Sequence, residues 1–90
     1  MVSYPIRIPR KPYNGSDPRK IAKIQELNEI AAEIETVIND IIKNQENNII
    51  KFTYAEIASI TGYKVSTVQD ICVSIDGGGN GFTVIRDDLN

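Results

Sequence analysis

Side chains able to do acid–base or metal chemistry are few in this chain. It has no histidine and one cysteine, and four of its six glutamates gather in one stretch, as Glu26, Glu29, Glu33 and Glu35. Paired carboxylates can act as general acid and general base or hold a metal ion. Without a histidine or a second acidic cluster nearby in the sequence, a solvated helix face explains these glutamates better. We therefore expect no enzymatic activity, no catalytic residue, no cofactor and no metal site.

A second group of polar side chains is suited to binding. Apolar residues recur at three- and four-residue spacing after Gly62, which predicts a short helix with one buried face. These apolar residues are Val65, Val68, Ile71, Cys72 and Ile75. Because Cys72 belongs to that face, we expect it to pack and not to react. The residues left facing outward have hydrogen-bonding side chains that can reach base edges, namely Lys64, Ser66, Thr67, Gln69 and Asp70.

The residues before this helix predict another helix and a sharp turn. Thr53 and Glu56 form the T-x-x-E capping box that satisfies free amides at a helix start. Gly62 is expected to end the helix in a left-handed conformation, and a side chain there would also obstruct the approach of the next helix. The buried face is expected to consist of Ile57, Ala58 and Ile60.

Together, these two helices resemble the helix-turn-helix superfamily of DNA-binding proteins. That family has a small residue four positions before the turn glycine, here Ala58, and apolar residues three and six positions after it, here Val65 and Val68. The turn is similar to the G-x-S-x-x-T-V of many bacterial regulators, but Lys64 stands where serine is usual. Ser66 is therefore a second candidate to cap the next helix. An ordinary helical hairpin is the alternative reading of the whole segment.

Two short segments flank the helices and predict a small β element. Residues 49–52 are β-branched and aromatic, and residues 81–86 alternate in the manner of a strand. The resemblance is to the winged-helix variant of the family, in which a hairpin called the wing follows the third helix. Residues 76–81 are mostly glycine and leave little chain for a full wing. We expect a truncated wing whose last strand pairs with residues 49–52, with Asn80 at its tip.

The net charge of −2 conceals an uneven distribution. Residues 1–23 contain six cations and one aspartate, a balance of +5, so the remainder sums to −7. Since phosphate binding depends on local potential, a basic arm can serve an acidic body. Prolines keep the arm, residues 1–16, extended. It is expected either to enter a DNA groove or to pack on a partner subunit.

A long helix should follow the arm, starting at the Asp17 cap with Pro18 in its first turn and running to about residue 45. At about 1.5 Å per residue it is longer than a compact three-helix unit needs. Its apolar heptad seam predicts dimerisation through the earlier half of the helix. The residues expected at that interface are Ile24, Leu27, Ala31 and Ile34. In the alternative, a single chain folds back and buries the whole seam.

The expected fold is mainly α: a three-helix, winged-helix-like domain with a two-stranded β element. Its first helix is the later half of the long helix at residues 17–45, its helix-turn-helix lies at residues 49–86, and a tail follows at residues 87–90. The resemblance implies a dimeric, sequence-specific double-stranded DNA-binding protein, such as a small bacterial, phage or plasmid transcriptional regulator. The expected contacts to bases or nearby phosphates are Lys64, Ser66, Thr67 and Gln69, and those to the backbone or grooves are Tyr63, Arg7, Arg10, Lys11 and Asn80.

No small-molecule ligand is evident. The alternative function is a protein-interaction module. With no apolar run long enough for a membrane span and no signal-peptide core, we expect a cytoplasmic protein.

Overall fold

The computed structural model describes residues 1–75 and 79–89, so part of the predicted glycine-rich loop, residues 76–78, lies outside the described residues. In chain order the elements are β1 (Val2–Ser3), α1 (Pro18–Lys43), β2 (Ile49–Thr53), α2 (Tyr54–Thr61), α3 (Val65–Cys72), β3 (Gly81–Ile85) and a 3₁₀ turn (Asp87–Leu89). Three helices and a three-stranded sheet make the fold mixed α/β, where the sequence suggested a mainly α domain with two strands.

The long helix α1 is confirmed, and so is its start. The side chain of Asp17 accepts a hydrogen bond from the Arg19 amide at 3.0 Å, and Pro18 occupies the first turn. The helix ends at Lys43, and the carbonyl of Ile42 is bound by Arg86, whose Nη1 donates to it at 2.8 Å. No helix among the described residues is long and apolar enough to cross a membrane.

The sheet has the order β1-β3-β2. The predicted pairing of residues 49–52 with the last strand is confirmed. The pairing is antiparallel, with Phe52 opposite Phe82. Gly81 is required at the start of β3, because a Cβ there would stand 1.9 Å from the carbonyl oxygen of Phe52. The prediction of only two strands was wrong, since β1 pairs in parallel with the other edge of β3 and thereby satisfies backbone groups that would otherwise be free.

The arm is not a free tail. Ile6 and Ile8 are buried in the core, and side chains of α1 bind the arm's backbone at both residues and further along the arm. Asn39 both accepts from the Ile6 amide at 2.9 Å and donates to its carbonyl at 3.1 Å. Glu35 accepts from the Ile8 amide at 2.7 Å.

Further along the arm, Asn28 forms the same pair of bonds with Lys11, at 2.8 and 3.1 Å. An extended segment held in this way to its own α1 cannot also insert into a DNA groove without losing these contacts. The expectation of an arm that enters a groove or packs on a partner subunit is therefore corrected to an arm packed within the chain.

The turn between α2 and α3 forms largely as predicted. The Thr53–Glu56 capping box is present, and Gly62 ends α2 with φ of 82°. A Cβ at Gly62 would meet nothing within 4 Å, so the glycine is needed for its backbone conformation, and the expected obstruction of the next helix is absent. The prediction that Ile60 is buried was wrong: it is 55% exposed because α2 turns Tyr54, Ile57 and Ala58 toward the core.

The core is built around α1, whose side chains meet those of α2, α3 and the sheet. Ala31 and Ile34 are 3% and 0% exposed within one chain, so they are not available to a partner helix and their assignment to a dimer interface was wrong. Ile24 and Leu27 are only partly buried. The seam predicted from the heptads thus faces the chain's own core through most of its length.

Candidate nucleic-acid interface

The candidate interface is the solvent-facing surface of α3. The helix begins at Val65, with Lys64 as an N-cap residue in extended conformation that makes no side-chain capping bond. The alternative start, capped by Ser66, is therefore wrong. Val68, Ile71 and Cys72 face the core, which confirms the predicted orientation of the helix.

Most of the predicted contact residues around α3 are exposed, and two apolar residues nearby depart from expectation. Lys64, Ser66 and Gln69 are exposed and Thr67 is partly buried. The first departure is Val65, which was expected in the core and is 47% exposed because the core contacts of α3 begin one turn later. The second is Val73, just past the end of the helix and 63% exposed, which the sequence reading did not single out.

One flank of α3 is formed by the start of α2 and the turn before β3. A cleft of about 260 Å³ there is lined by Thr53, Ala55, Val65, Gln69 and Asn80 among others. Asn80 is exposed, and its carbonyl oxygen accepts a hydrogen bond from the Tyr54 amide at 2.7 Å. That bond fixes the turn against α2, so Asn80 and Gln69 line the same cleft.

The other flank is formed by α1 and the turn after α2. Lys23, Glu26 and Ile30 line a groove of about 330 Å³ together with Lys64 and Thr67 of the α3 region. Tyr63 also lies here, partly buried, and its hydroxyl donates to the carboxylate of Glu33. That hydrogen bond, with burial and neighbouring glutamates adding to it, raises the pKa of Tyr63. Because its hydroxyl is already bound, Tyr63 holds the turn on α1 and is a poorer backbone-contact candidate than predicted.

The arm cations are placed unequally. Arg10 and Lys11 line a further groove, of about 270 Å³, that also includes Asp70 and Val73 at the end of α3. Arg10 is occupied within the chain, donating to the Ile8 carbonyl at 2.5 Å and pairing with Glu35 at 3.3 Å. Lys11 has an exposed side chain.

Arg7 is exposed between Ile6 and Ile8, where the arm runs beside Asn39 and Glu35 of α1. The groove that Arg10 and Lys11 share with α3 does not include it. Lys11 therefore lies in the groove at the end of α3, and the charge of Arg10 in that groove is partly neutralised by Glu35. Arg7 lies outside the groove.

Side chains that could ligate a metal ion or act as a nucleophile are few in the part of the chain that the structure describes. No group of three or more histidine, cysteine, aspartate or glutamate side chains is placed there to hold a metal ion. Cys72 is fully buried, and burial raises the pKa of its thiol to about 11. A thiol so protonated at neutral pH is a poor nucleophile.

Sequence reasoning missed the polar residues that hold the arm, Asn28, Glu35 and Asn39. Their spacing on α1, seven and then four residues apart, places them on one stripe of the helix. This polar stripe beside the apolar seam could have predicted that α1 binds another segment through hydrogen bonds. It could not have predicted that this segment is the chain's own arm.

Comparisons with models of protein families, with curated proteins and with solved structures find no match to this chain.

Proposed function

We propose that α2, the Gly62 turn and α3 form a helix-turn-helix of the winged-helix type with a truncated wing, and that the protein binds double-stranded DNA sequence-specifically through α3. The observation that carries this proposal is the exposed polar face of α3, flanked by Asn80 on one side and Lys11 on the other. An α-helix fits the major groove, where each base pair presents a distinct hydrogen-bonding pattern. The simplest biological role is that of a small bacterial, phage or plasmid transcriptional regulator.

The side chains on this face have separable roles. Gln69 can bind the N6 and N7 positions of adenine with two hydrogen bonds, and Lys64 can reach guanine or a phosphate. Ser66 is exposed, and its hydroxyl can form a hydrogen bond with either adenine or guanine. Thr67 is partly buried, so its contribution is smaller. Asp70 repels phosphate unless it accepts a hydrogen bond from the amino group of cytosine.

A homodimer is part of the proposal, although its interface is smaller than the sequence suggested. With Ala31 and Ile34 buried in the chain's own core, the remaining candidates are Leu27 and Ile24, which are partly buried. Ile24 lies one turn before Asn28 on the arm side of α1, so a second copy would pack beside the arm. Two copies related by a two-fold axis would read half-sites about 34 Å apart.

The test is selection of bound fragments from random duplex DNA, followed by affinity measurements on the selected site. Gln69→Ala should relax the preference at one base position, with a discrimination loss of about 1–3 kcal/mol. Gln25→Ala is the matched control because Gln25 is an exposed glutamine on α1. If no sequence is enriched, or if the two variants lose discrimination equally, α3 does not read DNA in this way.

A second candidate function is a protein-interaction module, which the apolar exposure around α3 favours. Ile60, Val65 and Val73 are 55%, 47% and 63% exposed. The positive charge of Lys64 at the start of α3 is balanced by the negative charge of Asp70, so this surface has little net charge to attract DNA. Absence of duplex binding at low salt, with binding to a protein partner that is lost on Val65→Ser and Val73→Ser, would favour this function.

A further inference from the structure

The cations at the start of α1 form a surface of their own. Arg19, Lys20 and Lys23 are all exposed. Residues three and four apart on a helix are neighbours, so Arg19 and Lys20 both lie next to Lys23 in one stripe. The same stripe continues to Glu26 and Leu27, which line the groove against the turn after α2.

This surface adjoins the candidate reading helix. Lys23 and Lys64 line the same groove, so cations of α1 and of the α3 N-cap meet across the Gly62 turn. Amides in the first turn of α3 add partial positive charge at that point. The groove therefore joins side-chain cations from two elements to the positive end of the helix that we propose enters the major groove.

We propose that Arg19, Lys20, Lys23 and Lys64 form a phosphate-binding surface, the α1 shoulder, which holds the DNA backbone beside α3. This inference rests on the proposed duplex binding and names where its sequence-independent attraction arises. Lys64 is the cation of the reading face and is opposed there by Asp70. A source of positive charge outside that face is therefore required, and the packed arm supplies less of it than the sequence suggested because Arg10 is bound to Glu35.

Negative charges next to the shoulder set its limits. Glu26 lines the same groove as Lys23, and Glu33 binds the hydroxyl of Tyr63. The glutamates follow the cations along α1, so the helix is basic at its start and acidic beyond it. The sugar-phosphate backbone of one DNA strand is expected to lie on the first two turns of α1 and not along the middle of the helix.

The experiment measures the affinity of the full chain for a mixed-sequence 20-base-pair duplex, about two helical turns long, over a series of salt concentrations. The shoulder variant is Lys20→Gln with Lys23→Gln. The matched control is Lys43→Gln with Lys51→Gln, which removes the same charge from exposed positions that are not among the proposed DNA contacts. Circular dichroism melting establishes that all three proteins are equally folded.

Each phosphate contact contributes about −0.9 to the slope of log affinity against log salt concentration. The shoulder variant should flatten the slope by about 1.8, and the control should leave it near the original value. Glu26→Gln should act in the opposite direction and raise the affinity at low salt.

The possible outcomes separate the two proposals. Binding of the original chain with an unchanged slope in the shoulder variant would overturn the shoulder and leave duplex binding intact. Equal flattening in shoulder and control would also overturn it, because diffuse attraction would then be sufficient. No binding by the original chain would remove duplex binding and the shoulder with it.

Discussion

Arg86 connects more parts of the molecule than any other polar residue described above. Its guanidinium donates to the Ile42 carbonyl at 2.8 Å, binds Asp88 through two hydrogen bonds of 2.9 and 2.5 Å, and stacks on the ring of Tyr4 at 4.5 Å. It therefore ties the end of α1 and the arm to β3. Asp88, which lies in the segment predicted as a tail, is part of this arrangement, and Asn90 lies outside the described residues.

We expect Arg86→Met to lower the melting temperature by roughly 10 °C, because the carbonyls that end α1 lose their donor and Tyr4 loses its stacking partner. Thermal denaturation followed by circular dichroism measures the change. Asp88→Asn is the comparison, since Asp88 is about half exposed and can be hydrated. A smaller loss in Arg86→Met than in Asp88→Asn would contradict the central role of Arg86.

The Arg86–Asp88 pair also predicts a pH dependence. Hydrogen bonds from Arg86 hold the pKa of the Asp88 carboxyl below its ordinary value. A carboxyl whose pKa is lowered on folding adds stability above its unfolded-state pKa, about 3.9, and loses it as the pH falls through the folded value. Asp88→Asn should therefore reduce the loss of stability between neutral and acidic pH.

The measurement is the urea midpoint at neutral and acidic pH. Asp40→Asn, at an exposed aspartate of α1, is the control for the charge change itself. If both variants keep the pH dependence of the original protein, the pair does not contribute to it.

Gly62 gives a prediction that separates backbone conformation from steric fit. Since a Cβ there meets no atom within 4 Å, Gly62→Ala should cost only the left-handed conformation, about 1–2 kcal/mol. Gly62→Asn should cost less, because asparagine tolerates that conformation better. Urea denaturation measures both, and equal stability of all three proteins would contradict the assigned φ.

Local sequence signals predicted the helix ends and the direction of each buried face, but they wrongly assigned some apolar side chains to the core. The Asp17 cap, the Thr53–Glu56 box and the Gly62 stop depend on neighbouring residues, and all three are confirmed. The exposure of Ile60 and Val65 depends instead on how far each short helix reaches across the core. The periodicity of apolar residues indicates which side of a helix is buried, but it does not indicate how many of the residues on that side reach the core.

Among the elements, the arm departs furthest from expectation. Its prolines correctly indicated an extended conformation, but the pairing of β1 with β3 and the bonds from α1 join residues far apart in the chain, which no local pattern specifies. What the sequence did contain was the alternation of Ile6 and Ile8 with exposed residues, which is typical of a segment packed on one side.

The packed arm predicts that its isoleucines stabilise the fold and its cations do not. Ile8 is 3% exposed, so Ile8→Ala should lower the free energy of unfolding by about 2–5 kcal/mol. Arg7→Ala, at the exposed neighbouring position, should change it by less than about 0.5 kcal/mol. Urea denaturation distinguishes the two, and a neutral Ile8→Ala would show that the arm is not part of the core.

The molecule as a whole is elongated, measuring 48 × 23 × 21 Å, because α1 extends beyond the domain that it supports. Its charges are separated along the same helix, with cations at the start and glutamates after them. The sequence indicated this separation of charge correctly. The apolar seam of α1 was expected to pack on a second copy of the chain, but most of it packs in the chain's own core. In the proposed dimer, the interface is therefore expected to involve the first turns of α1.

We expect a dimer that weakens when those turns lose their apolar side chains. Ile24→Gln should shift the protein toward the monomer in sedimentation equilibrium, since Ile24 is only partly buried in one chain. Val37→Gln, at another partly buried position on α1, is the control. A monomeric mass for the original chain at every concentration would remove the dimer from the proposal.

The most direct test of duplex binding is fluorescence anisotropy of a labelled mixed-sequence DNA duplex titrated with the full chain at low and at physiological salt. Duplex binding through α3 and the α1 shoulder predicts saturable binding at low salt that weakens steeply as salt rises, as expected when phosphate contacts release counterions. No change in anisotropy at micromolar protein and low salt would contradict it.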